Sequence, residues 1–372
     1  MRFASLVVLS LGLAALACAS PPDSNGPPQD SVFDEAGTAF GFFPSPPEAS
    51  TSSVLKHFRD LGQHADFILV QPNIPWEDFT TGGTAESRRL TDIRNQVLLA
   101  QQNGLEAAFV IDPLNGLNRR EFFGLPADWN PSFATTEVRQ GFADFALWIA
   151  REFQPAYLGL ASEINTYADA HPDDFPNYLS LYREVYESVK AESPTTQVFV
   201  TFQWEDLNNL FPGTAEGRTA YRINWDQVEA FEPELDLWVI STYPFVAFPS
   251  GAQIPADYYT PLLARTSKPL AVAEGGYTSE PMGPFSGTPQ DQVDYLASIH
   301  DQIGGRLRFW VYLLLSDFNQ DLYNQAMMES GRSQEDANTL GMFSAVGLRH
   351  DDGDPKPALE VWDGYRAEAR GR

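Results

Sequence analysis

The chain has 372 residues, 13% of them aromatic and 20% charged, with a formal net charge of −26, five histidines and a single cysteine. So acidic a chain repels polyanions, which argues against nucleic acid or an anionic membrane surface as a direct partner and favours a neutral or cationic ligand. One cysteine excludes a disulfide within the chain.

The first residues, Met1-Arg2 followed by an almost unbroken apolar run from Leu6 to Ala17, read as an export signal. The run is shorter than the roughly 20 apolar residues that a membrane-spanning helix needs. It ends at Cys18 within Ala14-Ala15-Leu16-Ala17-Cys18, which resembles a bacterial lipobox; the resemblance implies lipidation of Cys18 and a place in the cell envelope or secretion. The stretch 19–35 is rich in Pro, Ser, Asp and Gly and is expected to be a flexible tether. Residues 36–372 are expected to form one domain, since α/β barrels routinely exceed 250 residues as a single unit.

Short β-branched and aromatic runs then alternate with amphipathic stretches, the signature of repeated βα units on a parallel sheet. Eight strands are expected, at Thr38–Phe43, Asp66–Gln71, Glu106–Asp112, Ala156–Ala161, Gln197–Gln203, Leu237–Thr242, Leu270–Glu274 and Arg308–Leu314. Runs such as Phe67-Ile68-Leu69-Val70 are apolar throughout, as strands covered on both faces must be. Helices are expected at Ser52–Leu61, Ser87–Asn103, Thr136–Phe153, Asp174–Glu192, Trp225–Phe231, Tyr258–Thr266, Gln290–Ile303 and Pro357–Glu368. Eight such units close into a (β/α)8 TIM barrel, and the long segment Phe318–Met342 is expected to add a helix over its top. An open doubly wound sheet is the rival, but Gly41-Phe42-Phe43-Pro44 after the first strand offers no phosphate cradle.

In a barrel, catalytic groups sit at the C-terminal ends of strands. The fourth strand runs into Ser162-Glu163-Ile164-Asn165 and the seventh ends in Glu274-Gly275-Gly276-Tyr277. Two carboxyls so placed suit glycoside hydrolysis: one gives a proton to the leaving oxygen while the other, ionised, attacks the anomeric carbon. Retention of configuration calls for the pair to stand about 5–5.5 Å apart. A lone glutamate in a loop is more often an ion-pair partner.

With those residues in view, the sequence resembles the glycoside hydrolases of clan A, over about Thr38 to Trp362. Gly159-Leu160-Ala161-Ser162-Glu163-Ile164-Asn165 looks most like the strand-four motif of endo-β-1,4-galactanase relatives, and Gly347-Leu348-Arg349 through Pro355-Lys356-Pro357-Ala358 resembles the ending of many members. The resemblance implies Glu163 as acid/base, Glu274 as nucleophile, Tyr243 as a hydrogen-bond partner of the nucleophile and Trp310 as a sugar-stacking residue. Where the clan carries Asn before the acid/base this chain has Ser162, whose shorter hydroxyl reaches the sugar 2-hydroxyl only through water.

Trp76, Trp129 and Trp204 are candidate sugar platforms, with core packing the commoner fate of such tryptophans. Gln203, Glu205, Asp112 and Asp317 fall near strand ends and are candidates for binding hydroxyls. His57, His64, His171, His300 and His350 show no metal-ligand spacing, no Gly-x-Ser-x-Gly elbow exists, and neither metal nor organic cofactor is expected. The reading is a retaining hydrolase of β-linked oligo- or polysaccharide, acting as a monomer that meets the membrane only through its lipid. Two alternatives stay open, an inactive barrel serving as a carbohydrate-binding surface lipoprotein and a glycan transferase using the same covalent intermediate.

Overall fold

The computed structural model describes residues 31–34, 37–79, 87–211, 218–329 and 334–371. Cys18, the expected signal and most of the expected tether lie outside them.

The barrel strands are β1 (Ala39–Phe42), β2 (Phe67–Val70), β3 (Glu106–Val110), β4 (Tyr157–Gly159), β5 in two pieces (Gln197–Phe199 and Thr201–Gln203), β6 (Trp238–Thr242), β7 (Leu270–Gly275) and β8 (Leu307–Tyr312). All pair in parallel with their sequence neighbours, and β8 pairs with β1. The two pieces of β5 lie at the ends of the sheet order, one against β4 and the other against β6. Only Val200 separates them, so the nine segments form an eight-stranded ring closed through a break in β5.

Helices α1 (Thr51–His64), α2 (Arg88–Gln102), α3 (Thr136–Phe153), α4 (Phe175–Glu192), α5 (Trp225–Glu229), α6 (Thr260–Arg265), α7 (Pro289–Ile303) and α8 (Pro357–Arg370) follow the strands in order. Side-chain caps start several of them: Ser50 accepts from Ser53 N in α1, Ser87 from Leu90 N in α2, and Thr288 from Asp291 N in α7. The helix expected over the top is two, Gln320–Glu329 and Gln334–Gly341.

Aromatic rings fill the lower barrel. Phe309 packs against Phe67, Tyr157 and Phe199 at centroid distances of 5.8, 4.9 and 5.9 Å. Room for these rings comes from glycines paired with them on the neighbouring strands, since a Cβ on Gly41 would stand 2.6 Å from the Phe67 ring and one on Gly159 2.9 Å from the Phe199 ring.

Phe33 completes this plug from below, its ring 5.0 Å from Phe67 and 4.9 Å from Tyr157, while Ser31 Oγ and Val32 N donate to the Glu106 carboxylate. The expected tether, 19–35, is therefore too long at its C-terminal end. One aromatic ring that fills a hole in the barrel floor outweighs the polar composition around it.

Candidate active site

Glu163 and Glu274 reach the same place from opposite walls. Glu274 lies in β7 and Glu163 follows β4, and both are buried. Glu163 sits in the left-handed region (φ 50°, ψ 42°), a conformation that costs a non-glycine residue on the order of 1–3 kcal/mol and that its surroundings must enforce. Thr201 of β5 supplies part of that restraint: its Oγ1 accepts from Glu163 N at 2.8 Å and lies 3.3 Å from Ser162 Oγ. On the other side, Thr166 N and Oγ1 donate to the Glu163 carbonyl.

The carboxylates themselves are held by three further partners. Ser241 Oγ of β6 donates to Glu163 Oε1 at 2.5 Å, and Tyr243, just past β6, donates its hydroxyl to Glu274 Oε1 at 2.6 Å. Tyr243 thus occupies the place that the sequence resemblance implied. Burial, then the Glu274 carboxylate, pushes the Tyr243 hydroxyl well above its ordinary pKa, so it stays a donor.

The third partner is Arg119, from a hairpin (Leu114–Asn115 paired with Asn118–Phe122) inserted after β3. Its side chain is 2% exposed, ion-paired with Asp112 and 3.5 Å from Glu163 Oε2 through Nε. Burial alone would lower the guanidinium's pKa, but Asp112, Glu163 and Glu274 around it outweigh that and raise it. Asp112 therefore serves Arg119. Nothing in the sequence distinguished Arg119 from its neighbour Arg120, because an inserted two-stranded turn leaves no periodicity by which to tell a buried arginine from a solvated one.

A layer behind the glutamates is built from β5 and its sequel. Glu205 is fully enclosed and accepts from Gln203 Nε2, Thr242 Oγ1, Tyr243 N and the Tyr258 hydroxyl at 2.7, 2.7, 2.9 and 3.1 Å. Burial pushes its carboxyl up, against the pull of these donors. Gln203 and Glu205 thus brace the backbone of Tyr243, and Ser162 faces Thr201. Asn165 extends the β4–β5 ladder, accepting from Gln203 N and donating to Gln203 O and Asp206.

The tryptophans do not join the site. Trp310 faces outward from β8 and packs on Trp362 and Tyr365 of α8, with centroids at 5.3 and 6.3 Å, so its role is in the seal between barrel and helix. The period of two explains the difference from expectation: Phe309 takes the inward place on this strand and leaves Trp310 the outward one. Trp76 is fully buried, donates to Phe123 O and packs on half-buried Trp129. Trp204 lies among Trp225, Tyr258 and Tyr259. Asp317 is bound by buried Lys356, which also donates to Ser279 Oγ.

Asp206 offers a test of this buried layer. Burial pushes its carboxyl from 3.8 to about 7. A folded-state pKa above the unfolded one means stability that is complete below about pH 4 and lost as pH rises through 7. Asp206→Asn, which keeps an oxygen for Asn165, should therefore gain on wild type by roughly 3 kcal/mol between pH 4 and pH 8 in urea unfolding. Parallel pH curves for the two proteins would refute the assignment.

No family model matches the chain, and no curated protein matches its sequence. Solved structures do match. An exo-β-1,4-mannosidase, Op5Man5 from Opitutaceae bacterium strain TAV5, aligns at TM-score 0.64 and 14% identity over 90% of this chain, which spans only 60% of that protein's length. A variant of GH5_18 from Bifidobacterium longum subsp. longum ATCC 55813, in complex with Manβ1-4GlcNAc, aligns at TM-score 0.60 and 12% identity over 90% of this chain and 78% of the other. Fungal β-1,4-galactanases align at TM-score 0.53 and 12% identity over 88% of this chain and 94% of theirs. The chain therefore has the (β/α)8 barrel found in glycoside hydrolases of clan A.

Proposed function

We propose that the protein is a retaining glycoside hydrolase of β-linked oligo- or polysaccharide, with Glu274 as nucleophile and Glu163 as acid/base. The observation that carries this reading is the convergence of the two glutamates on Arg119, each with its own hydroxyl donor, Tyr243 for Glu274 and Ser241 for Glu163.

In the first step a Glu274 oxygen attacks the anomeric carbon, the glycosidic C–O bond breaks, and Glu163 gives its proton to the departing oxygen. Tyr243 fixes the direction of the attacking carboxylate. In the second step Glu163 takes a proton from water, whose oxygen attacks the same carbon and frees Glu274. Two inversions restore the original anomeric configuration.

A second reading, an inactive barrel that binds glycan, is favoured by the Arg119–Glu163 pair and by Ser162, whose hydroxyl faces Thr201 within the barrel wall. Proton NMR of the first products separates the two. New reducing ends of the substrate's own β configuration uphold the hydrolase, whereas binding without release from mannans, galactans and glucans upholds the binder. Products longer than the substrate would mark a transferase.

The apolar run before Cys18 supports export and a lipid anchor. Labelled palmitate should enter the wild-type protein in a bacterial host and be lost from Cys18→Ser; equal labelling would sink the anchor.

A further inference from the structure

Among the described residues only three large apolar or aromatic side chains are exposed, and Tyr221, at 54%, is the one aromatic. It lies in the β5–α5 loop, on the face of the barrel that carries the glutamates. Its backbone has φ 62°, a genuine outlier for a bulky residue. The other non-glycine residues at positive φ are Gln154 at the C-cap of α3, Asn209, whose residue type tolerates the region, and Glu163. Tyr221 shares with Glu163 a strained backbone without a local excuse.

The strain is enforced from both sides. Tyr221 N donates to Asn208 O at 2.7 Å, and the buried Asn209 amide donates to the carbonyls of Thr219 and Arg222 at 3.4 and 2.5 Å, which flank the tyrosine. Residues 219–222 are thus held around a ring that stands in solvent and contributes little to the core. Strain held in this way marks a place where the side chain's position is what is needed. The tyrosine stands close enough to Tyr258, which donates to Glu205 in the layer behind the glutamates, to act on it electrostatically.

We propose that Tyr221 is a rigid aromatic platform on which one sugar ring of a bound glycan chain docks, at a subsite removed from the bond that breaks. The C–H face of a pyranose packs on such a ring, and a ring already immobilised loses little entropy on binding. The inference rests on the glycan-processing reading and adds to it a sugar subsite away from the two glutamates and the residue that forms it.

Asn tolerates the left-handed backbone, so Tyr221→Asn should fold with an unchanged or higher Tm while losing the ring. With β-1,4-linked mannopentaose and galactopentaose as probes, KM should rise about tenfold with kcat unchanged, while kcat/KM on an aryl monoglycoside stays at the wild-type value and Tyr221→Trp keeps the wild-type KM. Wild type that cleaves a pentasaccharide with a KM equal to that of Tyr221→Asn overturns the platform alone. If wild type cleaves nothing yet is retarded by mannan or galactan in native gels, the hydrolase reading falls. There, loss of retardation in Tyr221→Asn upholds the platform and unchanged retardation overturns it. Absence of both cleavage and retardation overturns both.

Discussion

Glu274→Ala should cut hydrolysis by roughly 10⁴–10⁶-fold without unfolding the protein, the scale seen when a covalent nucleophile is removed. The loss comes from chemistry: without that carboxylate nothing waits behind the anomeric carbon, and Tyr243, which now donates to Glu274 Oε1, cannot replace it because its hydroxyl is held protonated. Azide tells the two glutamates apart. In Glu274→Ala, azide attacks the anomeric carbon in place of the carboxylate and yields a glycosyl azide of inverted configuration. In Glu163→Ala, the glycosyl-enzyme still forms from substrates with good leaving groups such as dinitrophenyl glycosides, and azide then gives the retained product. The same product configuration from both variants would overturn the assignment of roles.

Arg119→Leu should lower the unfolding free energy by about 3–5 kcal/mol, because it leaves Asp112 and Glu163 buried without their cation. Removing one member of a buried charge group costs more than the group as a whole contributes, so Asp112→Leu added to Arg119→Leu should recover part of the loss. Denaturant unfolding of the two single variants and the double variant reads the coupling, and strict additivity would show that the Asp112–Arg119 pair does not act as a unit. The kcat of Arg119→Leu should fall as well, since the guanidinium orients Glu163.

The sequence by itself determined the barrel. Alternating apolar runs and amphipathic stretches placed all eight strands to within a residue or two, because a strand covered on both faces must be apolar throughout and each intervening helix must bury one stripe. α3, expected at Thr136–Phe153, spans those residues. The strand-end rule likewise picked out Glu163 and Glu274, since strand ends are local features and the barrel brings them to one rim.

The tertiary structure alone decided the rest, for reasons of direction and of long-range pairing. Trp310 could not be assigned from an apolar run, because facing inward or outward depends on which neighbour on the strand takes the barrel interior, and Phe309 does. Phe33 lies in a polar segment and is recruited by a hole that four distant strands define. Arg119 becomes part of the site only because its hairpin folds it onto carboxylates at the ends of β3, β4 and β7, contacts that no local pattern encodes. The strain at Glu163 and Tyr221 is likewise invisible in the chain, since it is imposed by Thr201 on one and by Asn208 and Asn209 on the other.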